Sequence, residues 1–487
     1  MKSLAKNSVY NILYKCLNLI FPLIISAYVS RILFAEGVGK VSSAQNIVTY
    51  FTLVAALGLP TYGTKVIAAV GEDRKSTDKA FSELFSINAI STIICSLIYY
   101  LMVANITYFQ QRTALSVVCG LAIVFNIINV DWFYQGREEY GYIMLRNFLI
   151  KSVSLISVFI FVKSIDDYII YATILTLSKV ANNVFNIIHL RKYASFTVKD
   201  LNITQHIKPV FVFLAASIAI EIYTLADTTM LTFIHGDEIV GYYTTARKGI
   251  DVIRTMIIAV CAVFLPRLSY YYANNQSKLF EDLVNKGIKI LTYATIPATV
   301  GVVLTAEYFV PLLFGYDFVN AIKTTQILSF SILTVAFSNF FGYQILVTVG
   351  KEKQMLYSTI IGAIVNVVLN FILVFSLKHN GVAIASVITE FCVAIYQVII
   401  VKKIIKISIT KRFFISTLTG TLTMTGFVII CKFLISNLIL SLIFSIIVGV
   451  VSYFIVTAIF KNEISVWIIN GVKKIGLRFR KNSKYSK

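Results

Sequence analysis

Along the chain the apolar positions gather into blocks of roughly twenty residues with few charges, the length that carries a helix across ~30 Å of hydrocarbon. The blocks lack the two-residue alternation of a barrel strand. Backbone groups in lipid must also find their partners within the element. The blocks therefore predict helices, over 8–33, 41–68, 80–104, 113–134, 142–163, 167–190, 208–234, 244–268, 285–306, 324–348, 354–377, 381–401, 413–434 and 437–460. Most polar stretches between them are short, so consecutive helices should pack as antiparallel neighbours. The longest connections are 191–207 and 269–284. The expected fold class is all-α, a polytopic membrane protein of about fourteen transmembrane helices.

The two halves of the pattern match each other at an offset of 202 residues. Val38-Gly39-Lys40-Val41-Ser42-Ser43-Ala44-Gln45 aligns without a gap to Val240-Gly241-Tyr242-Tyr243-Thr244-Thr245-Ala246-Arg247, and Lys65 falls on Arg267. Both segments enter the second helix of their half. Six helices separate them, an even number, so the halves keep one orientation. This describes two six-helix lobes in a parallel pseudo-twofold repeat, a transporter design. The expected organisation is a lobe over 1–190, a cytoplasmic linker over 191–207, a second lobe over 208–401, two additional helices within 402–460 and a basic tail over 461–487.

Composition excludes a soluble domain: 14% of residues are charged and mean hydropathy is +0.80, where soluble domains carry about a quarter charged residues. The net charge of +21 does not point to nucleic acid, because the basic residues sit at the edges of apolar blocks, where anionic lipid headgroups attract them. With a cytoplasmic N-terminus, thirty Lys and Arg fall on the cytoplasmic side and eight outside. Both termini are therefore expected inside. The tail from Lys461, with Trp467, Lys473, Lys474, Arg478, Arg480 and Lys481, reads either as an interfacial segment on anionic lipid or as a solvated topology signal. The first apolar block contains Lys15 and Arg31 and runs on into the next, so no cleavable signal is expected. Six cysteines lie singly in apolar blocks without metal or redox spacing; no metal and no cofactor are expected.

Several segments resemble the Wzx-type lipid-linked oligosaccharide flippases, from the superfamily that includes the lipid II flippases and the multidrug and toxin extrusion transporters. They are Ser30-Arg31-Ile32-Leu33, Asp131-Trp132-Phe133-Tyr134-Gln135-Gly136-Arg137-Glu138 with Arg146-Asn147, Tyr223-Thr224 with Asp227-Thr228, Val240-Gly241-Tyr242-Tyr243, Leu265-Pro266-Arg267-Leu268-Ser269, Gly362 with Asn366 and Asn370, and Gly381-Val382-Ala383-Ile384-Ala385 through Glu390. The resemblance covers the first twelve helices. It implies a two-lobed V-shaped fold, alternating access, and a polyprenyl-pyrophosphate-linked oligosaccharide as cargo.

Ionisable residues inside the apolar blocks are the candidate site, since a charge at a helix centre costs roughly 2.5–3.5 kcal/mol on insertion scales and should face protein or water. Lys15 shares a face with Asn11, Asn18 and Pro22; it is either a cationic step for the pyrophosphate or a residue that snorkels to the interface. Lys179 is expected in the lumen above Asn183 and Asn186, whose amides suit sugar hydroxyls or else hold helices together. Arg247, Asp251 and Arg254 form one stripe, which leaves either a spare cation for phosphate or a closed salt bridge. Glu221 and Asp227 are candidates for the coupling H⁺ or Na⁺, or for charge balance. Asp131 near Arg137 and Arg146 suits a cytoplasmic gate or a loop-fixing ion pair more than a substrate ligand.

The function expected on these grounds is flipping of polyprenyl-pyrophosphate-linked repeat units from the inner to the outer leaflet of a bacterial plasma membrane, for O-antigen or capsule biosynthesis. Anionic lipids and a polysaccharide polymerase are the accompanying partners, and no enzymatic activity is expected. The alternatives are an ion-coupled drug or metabolite antiporter on the same fold, or a membrane-embedded polymerase or glycosyltransferase. The first would favour acidic lumen residues, and the second would need catalytic residues on sizeable outer loops.

Overall fold

The computed structural model describes residues 4–71 and 73–471, and every regular element among them is helical. In the first half these are α1 (Leu4–Ala56), α2 (Leu59–Val70), α3 (Arg74–Asn105), α4 (Thr107–Gln110), α5 (Thr113–Val124), α6 (Asp131–Gly136), α7 (Tyr140–Phe161) and α8 (Tyr168–Leu190). They are followed by α9 (Thr204–His235), α10 (Asp237–Ala262), α11 (Leu265–Ala273) and α12 (Ser277–Phe314). The chain ends in α13 (Ala321–Asn339), α14 (Glu352–Lys402), α15 (Lys411–Leu434) and α16 (Leu438–Ile459). Nine helical segments among the described residues are long and apolar enough to cross a membrane. The protein is multi-pass.

Two of the longest helices are double. The path of α1 breaks at Phe34 (φ 54°, ψ −173°), and that of α14 breaks at Lys378 (φ 51°, ψ −131°), in each case where the apolar pattern pauses between two expected spans. The second expected span, 41–68, is interrupted: Leu57 and Gly58 both take positive φ, and Pro60 opens α2 in the first turn. Gly58 also lets α9 approach, since a Cβ there would collide with the backbone of Phe213 and Leu214. The fourth expected span, 113–134, is built from α5, a 3₁₀ turn (Phe125–Ile128) and α6. The eighth begins earlier than expected, at Asp237, whose carboxylate and that of Glu238 occupy the first turn. Acids there suit the positive end of the helix dipole.

The chain divides into two compact units, one of residues 1–245 with 370–379 and one of 246–369 with 380–487. The first unit thus takes in α9 and the start of α10. Its core packs Leu59, Ile67, Phe81, Leu84, Trp132, Phe133 and Tyr134. The second is organised around Val284, Ile288, Leu291, Phe340, Phe341 and Ile345, with α15 and α16 joined to α12 through Tyr293, Met424, Val428 and Tyr453. Residues Phe340–Leu346 there form a π-helical turn.

The first unit contains the 202-residue offset as geometry. A Cβ on Gly39 would land on the Asp237 carbonyl, and one on Gly241 would land on the Ala35 carbonyl. Those contacts are reciprocal, because 35 and 237 are repeat partners just as 39 and 241 are. Reciprocity of this kind is what a twofold axis imposes. Ser42 and Thr244, also partners at 202, share a hydrogen bond of 3.3 Å. The repeat-related helices therefore cross at these two glycines. Gly39→Val or Gly241→Val must push that crossing apart, with an expected cost of about 3 kcal/mol. Thermal unfolding of the purified protein in detergent checks this, with Gly426→Val, at a helical position with open space around it, as the control for a surface change.

Candidate functional site

Three lysines stand near the middle of long helices, α7, α8 and α10, of which α7 and α10 are among the segments long and apolar enough to cross a membrane. Lys179 lies eleven residues from either end of α8, Lys151 eleven from the start of α7, and Lys248 eleven from the start of α10, or ~16 Å at 1.5 Å per residue. That depth exceeds what a lysine stem covers by snorkelling. Lys179 is exposed, while Lys151 and Lys248 are half-buried. Lys179 lies beside Cys119, and among the described residues no carboxylate lies close enough to pair with any of the three. Sequence reasoning singled out Lys179 alone. It began the eighth span at 244, which put Lys248 near the helix start, although Asp237 and Glu238 were a readable start signal.

The stripe on α10 is internally paired. Arg254 Nη1 meets Asp251 Oδ1 at 3.0 Å, Arg247 Nε lies 3.7 Å from Asp251 Oδ2, and Arg254 Nε donates to Ser331 Oγ at 2.8 Å. One carboxylate thus serves two guanidinium groups, and α13 holds Arg254 in place.

Asp131 sits in a different cluster, closed within the first unit. Arg146, 5% exposed, donates from Nη2 to Asp131 Oδ1 at 2.9 Å and from Nε to Asn182 Oδ1 at 2.9 Å, and its Nη1 meets Asn186 Oδ1. Asn186 donates back to Asp131 Oδ1 at 2.6 Å, and the Tyr134 hydroxyl donates to the Asn186 carbonyl at 2.7 Å. Asn186 is fully buried with both ends of its amide engaged, so it binds α6, α7 and α8 together and does not present its amide to cargo. Arg137 does not join them; its guanidinium lies 5.1 Å from the Tyr193 ring centroid. Asn183 donates to the Phe125 carbonyl at 3.0 Å and Asn18 is half-buried. The side chains of Asn11 and Lys15, and the tail from 472, lie outside the described residues.

The two carboxylates of α9 differ in setting. Asp227 is 3% exposed and accepts from Tyr243 Oη at 2.5 Å and from Asn370 Nδ2 at 2.6 Å. Tyr50 and Asn46 reach the neighbouring Thr229 hydroxyl at 3.1 and 2.7 Å. Glu221 is half-buried and accepts from Thr224 Oγ1 at 3.0 Å, within its own helix. Only Asp227 joins separate helices. Asn370, which sequence reasoning used only as a family-like residue, is the partner that completes it.

A family model described as "Polysaccharide biosynthesis protein" matches residues 4–272. The chain belongs to this family. A protein of Shigella dysenteriae named as an O-antigen transporter is 23% identical over 392 residues, which cover 79% of this chain and 96% of that one. The capsular polysaccharide biosynthesis protein CapF of Staphylococcus aureus is 22% identical over 409 residues, covering 82% of this chain and 100% of its own length. Among solved structures, the lipid II flippase MurJ in an inward closed conformation matches with a TM-score of 0.76 and 16% identity, over 94% of this chain and 99% of that one. This polysaccharide biosynthesis family member therefore shares its multi-pass helical fold with a flippase.

The Asp131 cluster is expected to act as structure. Asp131→Ala leaves the buried Arg146 charge without its carboxylate, which should cost about 3 kcal/mol of stability. Replacing both members together, Asp131→Asn with Arg146→Met, should recover much of that loss, read as the midpoint of thermal unfolding in detergent.

Proposed function

We propose that this protein flips a polyprenyl-pyrophosphate-linked oligosaccharide from the inner to the outer leaflet of a bacterial plasma membrane, by alternating access and with no catalytic step. The observation that carries the reading is a set of mid-helix cations, Lys151, Lys179 and Lys248, that no carboxylate among the described residues pairs. A fixed charge in hydrocarbon calls for an opposite charge or water, and pyrophosphate supplies the former as the cargo passes. Family membership and relatives named for O-antigen transport and capsule biosynthesis agree in direction.

The same observation weighs against a carrier of cationic drugs. The described intramembrane carboxylates at Asp227, Asp251 and Glu390 are engaged by protein donors, Asp251 by two arginines and Glu390 by Ser338 at 3.4 Å. In the proposed cycle Asp227, held by Tyr243 and Asn370, takes the coupling H⁺ or Na⁺, and Glu221 balances charge. Arg254 and Arg247 contribute one net positive charge after Asp251 is counted. Both termini face the cytoplasm, where the basic loops meet anionic lipid. A polysaccharide polymerase takes the flipped unit on the outer side. The six-plus-six organisation, with α15 and α16 as additions, is part of this reading.

The test is flipping itself, in cells deleted for the gene and for any redundant flippase. Without the protein, polyprenyl-linked repeat units should accumulate on the inner leaflet; normal arrival at the outer face would sink the reading. A hydrogen-bonded charge contact contributes about 1.5–3 kcal/mol, so Lys179→Gln should slow flipping roughly tenfold or more, with Lys179→Arg largely active. A triple Lys151, Lys179 and Lys248 to Gln variant that flips at the normal rate would remove the cations from cargo handling.

A further inference from the structure

Helix α9 is fastened to the first half of the chain at both of its ends, by two clusters of different chemistry. At its start, Glu83 of α3, 2% exposed, accepts the Asn202 N–H at 2.6 Å and Gln205 Nε2 at 3.0 Å, and pairs with His206 Nε2 at 2.8 Å. The other ring nitrogen of His206 lies 2.8 Å from the Tyr62 hydroxyl of α2. The carboxylate thus stands at the positive dipole end of α9 and holds it from another helix, through the backbone just before the helix and two side chains of its first turn. The connector leading there is strapped down too: the N–H groups of Ser195 and Thr197 donate to Asp78 Oδ1 and Ser82 Oγ at 2.7 and 2.8 Å.

At the far end, Asp237 follows α9 directly. Its side chain is 5% exposed and receives an Arg112 fork, Nη2 to Oδ2 at 2.7 Å and Nη1 to Oδ1 at 2.8 Å. Ser43 donates to Oδ1 at 3.0 Å and accepts from Thr232 of α9 at 3.0 Å. The Arg112 guanidinium lies 4.6 Å from the Tyr108 ring centroid. The repeat partner of Asp237 is Ala35, so the ion pair exists on one side of the local twofold only. From His206 to Asp237 is ~46 Å at helical rise, more than the ~30 Å hydrocarbon layer. The two clusters belong to opposite faces of the membrane.

We propose that they are reciprocal latches: Glu83–His206–Tyr62 holds the cytoplasmic side and Arg112–Asp237–Ser43 the outer side, and access to either side requires its own latch to release while the other holds. The proposal rests on the transport reading above, including its orientation. These are positioning residues; none is placed in contact with cargo. On the alternating-access reading, α9 must part from α2 and α3 to open one side and from α1 and the α4–α5 corner to open the other, and an Arg fork on a carboxylate is directional enough to reseat in one register.

Thiol labelling tests it without reference to cargo. In a cysteine-free chain in sealed vesicles of each orientation, Thr229→Cys reports the outer half of α9, and Phe213→Cys, packed on Tyr62, reports the inner half. An impermeant maleimide should label position 229 from outside roughly tenfold faster in Asp237→Asn or Arg112→Gln, and position 213 more slowly from inside. Glu83→Gln should do the reverse. The exchange Arg112→Asp with Asp237→Arg should restore the starting rates, which a merely misfolded chain would not do. Unchanged rates at both positions in single variants would overturn the latches, and so would both positions opening together. If labelling shifts as expected in a chain that moves no lipid-linked saccharide, the latches stand and the cargo reading falls. If flipping proceeds with unresponsive reporters, the cargo reading stands and the latches fall.

Discussion

A charged side chain inside hydrocarbon persists only where another charge, a set of hydrogen-bond donors or water meets it, and the layout of this protein follows from how each charge meets that demand. Arg146 is answered by Asp131 with two asparagines and Arg254 by Asp251 with Ser331, while nearer a membrane face Arg112 meets Asp237 with Ser43. Each of these groups ties together segments that apolar packing alone would leave free to slide, since lipid tails compete with side chains on nearly equal terms. The mid-helix lysines stand apart because no described residue beside them carries a negative charge. Pairing thus sorts the intramembrane charges into those that hold helices and those left for something else.

The local twofold makes the same point from the backbone. Two glycines in equivalent positions bring helices close enough for carbonyls to sit where side chains would otherwise be. That crossing is retained in both copies. The side chains around it differ: Ala35 stands where its partner is Asp237. An asymmetric ion pair on a symmetric crossing can favour one arrangement of the helices, which two identical weak contacts could not.

The helices were legible because their signal is collective: every expected span overlaps a helix, and the breaks of α1 at Phe34 and of α14 at Lys378 fall in the pauses between expected spans. Breaks within a span were not legible: 41–68 is interrupted where Leu57 takes positive φ beside Gly58, and 113–134 is divided by a 3₁₀ turn. Among site residues, the α10 stripe could be read because partners three and four apart share a face. Asn186 was misjudged because an amide stripe looks the same whether it meets sugar or an arginine 40 residues away. Arg137 was grouped with Asp131 on proximity in sequence, whereas its ring contact with Tyr193 depends on how the connector folds back. Glu83 and His206 gave no sequence signal, and Asn370 gave only a family-like one, since their meaning lies in partners more than a hundred residues distant.

Helix α9 is where these threads meet. Between its two fastened ends it carries Asp227, whose donors come from α10 through Tyr243 and from α14 through Asn370. A carboxylate that accepts two short hydrogen bonds draws both helices toward α9. A bound proton removes the charge those donors serve, and a bound cation competes with them for the same oxygens. Either occupant loosens the crossing of α9 with α10 within a segment that ends, ten residues on and ~15 Å away, at the Asp237 pair. In the proposed cycle, an ion at Asp227 and the arginine at Asp237 would therefore act on the same short stretch of helix.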